Sequence, residues 1–118
     1  MQYIFLIYSA EKDMPAPPKD PAEFQAWMAP WAEYTQALKT AGVFVAGDAL
    51  QPTSVATTVS RTSGDTVFTD GPFAETREQL GGYYLVNCAN LDEALRWAAK
   101  CPGAAFGNIE VRPIADFS

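Results

Sequence analysis

Apolar positions along this chain follow two rhythms, and their order lays out a fold. QYIFLIY (2–8) is apolar on both alternating sides, with Tyr3, Phe5 and Ile7 on one and Ile4, Leu6 and Tyr8 on the other. A strand of that kind is usually covered on both faces. EKDMPAPPK (11–19) carries three prolines and reads as a surface loop. The period then changes to that of a helix. Phe24, Trp27, Met28, Trp31, Tyr34, Thr35 and Leu38 form one stripe. Asp20 is placed as N-cap, Pro21 at the first helical position, and Glu23 at the capping-box spacing. Lys39 falls in the last turn and Gly42 just past it, so the spacing predicts a helix from about Pro21 to Ala41. Pro30 interrupts the stripe and predicts a kink where it frees the carbonyl of Ala26.

VFVAGDALQ (43–51) predicts a short strand broken near Gly47. VATTVSR (55–61) and TVFT (66–69) flank a Ser63–Asp65 turn and predict a hairpin. GYYLVNC (82–88) is the next strand. A second helix opens at Asn90, with Glu93 three residues on and an apolar face of Leu91, Ala94, Leu95 and Ala98; Pro102 and Gly103 stop it. NIEVRPI (108–114) alternates and closes the chain as a strand. The order is strand, helix, strand, hairpin, strand, helix, strand. That is an α+β, ferredoxin-like βαβ–βαβ plan with an inserted hairpin, as a single domain over residues 1–118. Both helices are expected on one sheet face. The bare face is then apolar and predicts a homodimer formed by face-to-face packing.

Composition narrows the functions. The 118 residues are 48% hydrophobic, which suits one folded domain. No apolar run reaches the roughly 18–20 residues of a membrane span, and the N-terminus lacks a basic region and cleavage signal, so a cytoplasmic location is expected. Net charge is −6, and the eight Lys and Arg do not cluster, which disfavours nucleic acid and anionic membrane as partners. There is no His, so the usual zinc ligand sets and Ser-His or Cys-His nucleophile pairs are excluded. Cys88 and Cys101 make no disulfide framework and no CxxC, and Cys101 reads as a small buried residue. No cofactor or metal is expected.

The candidate chemistry lies in TDGPFAETREQLGGYYLV (69–86). Asp70 before Gly71-Pro72 is either a turn starter or a general base. Phe73 is expected to plug inward and to draw Asp70 and Glu75 toward Tyr83 and Tyr84, whose rings would desolvate the carboxylate. Arg77 is either a structural ion-pair partner or a clamp for an anionic ligand. Glu75 and Glu78 are solvated charges or pocket edge. Asp48 caps a turn or faces Asp70 across the pocket. Tyr8, with Ser9, ends the first strand where pocket residues often gather. Gly81-Gly82 suggests a bulge or a close strand approach.

This motif, with AGVFVAGDALQP before it and LDEALRWAAKCP and EVRPI after it, resembles the YCII-related domain family in its DGPF subgroup, over nearly the whole chain. The resemblance implies a ferredoxin-like fold in a dimeric α/β-barrel assembly of bacterial type. Some members of the wider family are thought to use a His on the first helix and an Asp before a Pro after the second. Those positions fall here on Trp31 and Cys101, which cannot transfer protons in that way, so the acidic motif is the natural replacement site. Three readings follow: an enzyme using carboxylate acid–base chemistry on a small metabolite, a non-catalytic ligand binder, and an interaction module with an acidic docking loop.

Overall fold

Strand alternation decides which side of the first strand is covered. The computed structural model describes residues 1–118. In β1 (Gln2–Ser9) the side chains of Tyr3, Phe5 and Ile7 are buried, while Ile4, Leu6 and Tyr8 are only half-buried. Beside β1 run β5 (Gln79–Asn87) and β6 (Asn108–Pro113), both antiparallel to it, and β2 (Phe44–Ala49) pairs with the far edge of β5. The sheet order is β2-β5-β1-β6, compatible with the ferredoxin-like plan.

The long helix α1 (Pro21–Thr40) starts and stops where local chemistry directs. Asp20 accepts the Glu23 N–H at 3.1 Å. At the other end Gly42 takes φ +75°, its N–H donates to the Lys39 carbonyl, and the Val43 N–H reaches the Leu38 carbonyl at 3.1 Å. These paired bonds form a Schellman stop, which needs a residue at ease with positive φ. The helix runs through Pro30 without a break in its assignment. Only its second half packs: Tyr34 and Leu38 are buried, whereas Phe24 and Trp27 stack on each other at 5.8 Å and stay exposed. The expected continuous stripe thus becomes an overhang at its N-terminal end.

The short helix α2 (Leu91–Ala99) is capped by Asn90, which accepts the Glu93 N–H at 2.9 Å. Its buried side is Ala94 and Ala98, with Trp97 packed beside them; Leu91 and Leu95 are exposed. The expected apolar face is therefore rotated. Two alanines let the helix approach the sheet closely, and the leucines fall on its flank.

Phe5, Leu38 and Val86 are fully buried, each contributing roughly 1.5–3 kcal/mol. β2 does not break at Gly47. Its irregularity falls between Phe44 and Ala46, leaving Val45 unpaired. Gly47 serves packing instead, because a Cβ there would lie 2.6 Å from the Tyr84 ring. The glycine pair, expected to allow a bulge or a close strand approach, does both: Ile7 pairs with Gly82 but Tyr8 with Leu80, so Gly81 is the extra residue, and a Cβ on Gly82 would lie 3.0 Å from the Asp48 carbonyl.

The inserted hairpin, β3 (Thr57–Ser60) with β4 (Val67–Asp70), forms a separate two-stranded sheet. It stands off as an arm. The radius of gyration is 16.4 Å, where a compact chain of this length has about 13.5 Å. No helix is long and apolar enough to cross a membrane.

Gly42→Ala is expected to lower unfolding free energy by about 1–2 kcal/mol, because a Cβ is strained at this φ. Urea denaturation checks this, with an unchanged m-value expected.

Candidate functional site

The long motif divides in two. Its second half, Thr76 to Gln79, is tied to the body. Gln79 opens β5 opposite Ser9, the last residue of β1. Its side-chain oxygen accepts the Glu11 N–H at 2.9 Å, and its amide nitrogen donates to the Thr76 carbonyl at 2.6 Å. One side chain thus joins the exit of β1 to the motif. Glu11 begins a 3-10 turn (Glu11–Asp13), and its carboxylate accepts the Thr53 N–H at 2.9 Å and the Thr53 hydroxyl at 2.8 Å. Glu78 accepts both of its bonds from the Asn108 amide, at 2.9 and 3.1 Å, reaching across to β6.

These anchors shape a cleft of about 270 Å³ lined by Glu11, Lys12, Thr76, Arg77 and Gln79, with no apolar side chain. Its two cations, Lys12 and Arg77, come from separate segments. Neither forms an ion pair; the chain's ion pair within 4 Å joins Glu110 and Arg112. Lys12 was not singled out from the sequence. It sits in a proline-rich loop, and only the fold of Glu11–Asp13 against Gln79 brings it beside Arg77.

The first half of the motif, Asp70 to Glu75, does not enter this cleft. Asp70 ends β4, pairs with Thr57 across the arm, and is exposed. Phe73 is 90% exposed, so it does not plug inward and does not draw the carboxylates to the tyrosines. Glu75 is also exposed. Asp70, Glu75 and Glu78 do not converge into a ligand cluster.

The two tyrosines point opposite ways, as consecutive strand residues must. Tyr84 is buried under α1, and its hydroxyl shares a 2.7 Å hydrogen bond with Thr35. It is a core residue, which corrects its placement as a pocket wall. Tyr83 lies on the helix-free sheet face and donates to Asp48 at 3.2 Å. The hydrogen bond from Tyr83 to Asp48 favours the protonated phenol and raises its pKa, making Tyr83 a poorer proton donor. Asp48 thus faces Tyr83 across the β2–β5 pair. Tyr8 is half-buried on the same open face, opposite Asn108.

The dyad positions of the resemblance are apolar in their surroundings. Trp31 packs edge-on to Phe106 at 6.5 Å. A Cβ on Gly103, two residues past Cys101, would lie 3.2 Å from the Trp31 ring. Cys101 is buried, and burial pushes its thiol pKa up. Cys88 is pushed up to about 11, chiefly by burial and then by its hydrogen bond to Glu93. Neither thiol is a ready nucleophile at neutral pH. A second cleft of about 280 Å³ lies between Ala41, Val43, the α2 side chains Glu93, Arg96 and Trp97, and Lys100 at the α2 C-cap. Its Lys100 is engaged over the Trp97 ring at 5.1 Å.

A family model described as "YCII-related domain" matches residues 1–118. An uncharacterised protein of Rhizobium meliloti (strain 1021) is 52% identical over 68 residues, covering 56% of this chain and 55% of that protein. The match thus spans about half the length of that curated relative.

The buried Cys88 thiol sets a pH dependence. Its folded-state pKa lies above the unfolded value of 9.0, so the native state keeps its proton longer. Stability is then complete below about pH 9 and falls as pH rises toward about 11, by on the order of 2 kcal/mol. Unfolding free energies measured from pH 8 to 11 check this, and Cys88→Ala is expected to reduce the slope, with Cys101 keeping its own share.

Proposed function

The chain belongs to the YCII-related domain family, and on that premise we propose that it is a dimeric protein binding a small, hydrophilic, anionic metabolite. The cleft at the exit of β1 is the binding site. One observation carries the reading: Lys12 and Arg77 line one all-polar cleft of about 270 Å³ and neither has an ion-pair partner. Arg77 offers a planar fork to a carboxylate or phosphate, and Lys12 adds a mobile point charge. The Thr76 hydroxyl is spent on the Glu78 carbonyl and the Gln79 amide on Thr76, so the anion's contacts fall on the two cations. The volume suits a metabolite of a few heavy atoms, near the lower end of ligand pockets. Membership of the DGPF subgroup, and a bacterial, cytoplasmic setting, belong to the same proposal.

The homodimer rests on the helix-free sheet face. Ile4 pairs with Leu85 and Leu6 with Tyr83 along its centre, an apolar strip that only another layer covers. Asp70 and Glu75 lie outside the cleft, so the expected acid–base role of Asp70 is not carried over to the ligand bound there. The exposure of Asp70 to Glu75 favours a second reading for that half of the motif, a docking loop. In that reading the cleft binds ligand and the arm binds protein.

The cleft is tested by thermal unfolding and calorimetry with succinate, malonate, inorganic phosphate and a neutral sugar. One of the anions, at 100 times its Kd, is expected to stabilise the protein by about 2.7 kcal/mol. Arg77→Gln should abolish that shift while leaving the ligand-free melting temperature unchanged, since Arg77 is exposed and unpaired. Asp70→Asn should leave both anion binding and folding intact, because Asp70 is exposed and lies outside the cleft. A wild-type protein indifferent to every anion defeats the reading.

A further inference from the structure

The arm is thin and unsupported. β3 and β4 pair only with each other, and residues 61–70 are all exposed. Its stem bonds, Gly71 N–H to the Ala56 carbonyl and the Thr58 hydroxyl to the Gly71 carbonyl, both at 2.7 Å, are internal to the insertion. A lone two-stranded hairpin is marginal in water. One arm face sets Val59 opposite Phe68 and, two residues along, Thr57 opposite Asp70. Val59 is 57% and Phe68 69% exposed, and Phe73 follows just beyond the strand. Val59 and Phe68 meet only each other across the hairpin, and both stay more than half exposed.

We propose that the arm docks on a second copy of this chain, reciprocally, seating Val59, Phe68 and Phe73 against the partner and carrying Asp70 to the partner's surface. This extends the dimer of the preceding reading and does not depend on the anion cleft. Three observations select a second copy as the occupant. The first is area: the chain exposes 8396 Å², where a compact protein of this mass exposes about 6,300 Å². The surplus of about 2,100 Å² is what each subunit of a permanent complex gives up. The second is self-complementarity. The same chain holds the apolar arm and the uncovered apolar surfaces of the open sheet and the Phe24–Trp27 overhang, as a two-fold interface requires. The third is charge: residues 57–70 carry only Arg61, Asp65 and Asp70, so two copies of net charge −6 meet there with little repulsion.

Sedimentation equilibrium and amide hydrogen exchange test this on the full chain. The wild type is expected at dimer mass, with β3 and β4 amides protected. Phe68→Glu should weaken dimerisation by on the order of 100-fold, as for a central interface aromatic. Its circular dichroism should stay unchanged, because Phe68 is already exposed in the single chain. Arm amides should then exchange freely. Leu85→Glu probes the open sheet separately. A dimer broken by Leu85→Glu but indifferent to Phe68→Glu, with unprotected arm amides, overturns the arm proposal and leaves face-to-face pairing standing. A wild type that is monomeric at micromolar concentration overturns both, whatever the anion panel gives.

Discussion

Tyr34 is the point at which both helices and the sheet meet, and much of the structure is arranged around it. Its hydroxyl donates at 2.7 Å to the Trp97 carbonyl in the last turn of α2, which also accepts the Lys100 N–H. Its ring meets Tyr84 edge-on at 5.3 Å and Trp97 at 6.4 Å. A buried hydroxyl without that acceptor would cost about 1–3 kcal/mol. Burial, together with the neighbouring Cys101, Tyr84 and Cys88, raises its pKa, so the neutral donor form persists. With Tyr84 held inward by this contact and by Thr35, strand alternation sends Tyr83 and Leu85 to the open face. Gly47 is then required, because the Tyr84 ring occupies the space of its Cβ.

That packing covers one end of α1 and leaves the other bare. Fourteen of 118 residues are buried, all on the side where the sheet meets the second half of α1 and α2. The first half of α1, the open sheet and the arm contribute apolar side chains without contributing core. A chain so patterned spends hydrophobic residues on surfaces rather than on its own interior.

The chemistry follows from what is missing as much as from what is present. Without His, and with both thiols driven toward their neutral forms by burial, the groups that remain are carboxylates and cations. Hydrogen bonds through Gln79 tie the backbone beside Lys12 to that beside Arg77, and neither cation forms an ion pair. The positions where the resemblance implies a proton-transfer pair are filled by an indole and a buried thiol, and there the chain builds packing instead of chemistry.

The caps at Asp20 and Asn90, the stop at Gly42, the bulge at Gly81 and the order of strands were all legible in the sequence. Each depends on residues a few positions apart, and local sterics and hydrogen bonding act at that range. The helix boundaries and the β3–β4 hairpin followed from the same short-range rules, whereas the separation of that hairpin from the main sheet did not. What the sequence did not determine was which apolar residues become core. Phe73 and Phe24 carry the same hydrophobic drive as Phe5, but no other element of the chain arrives above them. Leu91 and Leu95 lost their place to Ala94 and Ala98 because helix-to-sheet distance, set by the whole layer, rewarded small side chains. The motif from Asp70 to Gln79 reads as one unit along the chain. Tertiary structure divided it, because Gln79 is registered against β1 while Asp70 belongs to a hairpin that the sheet does not hold.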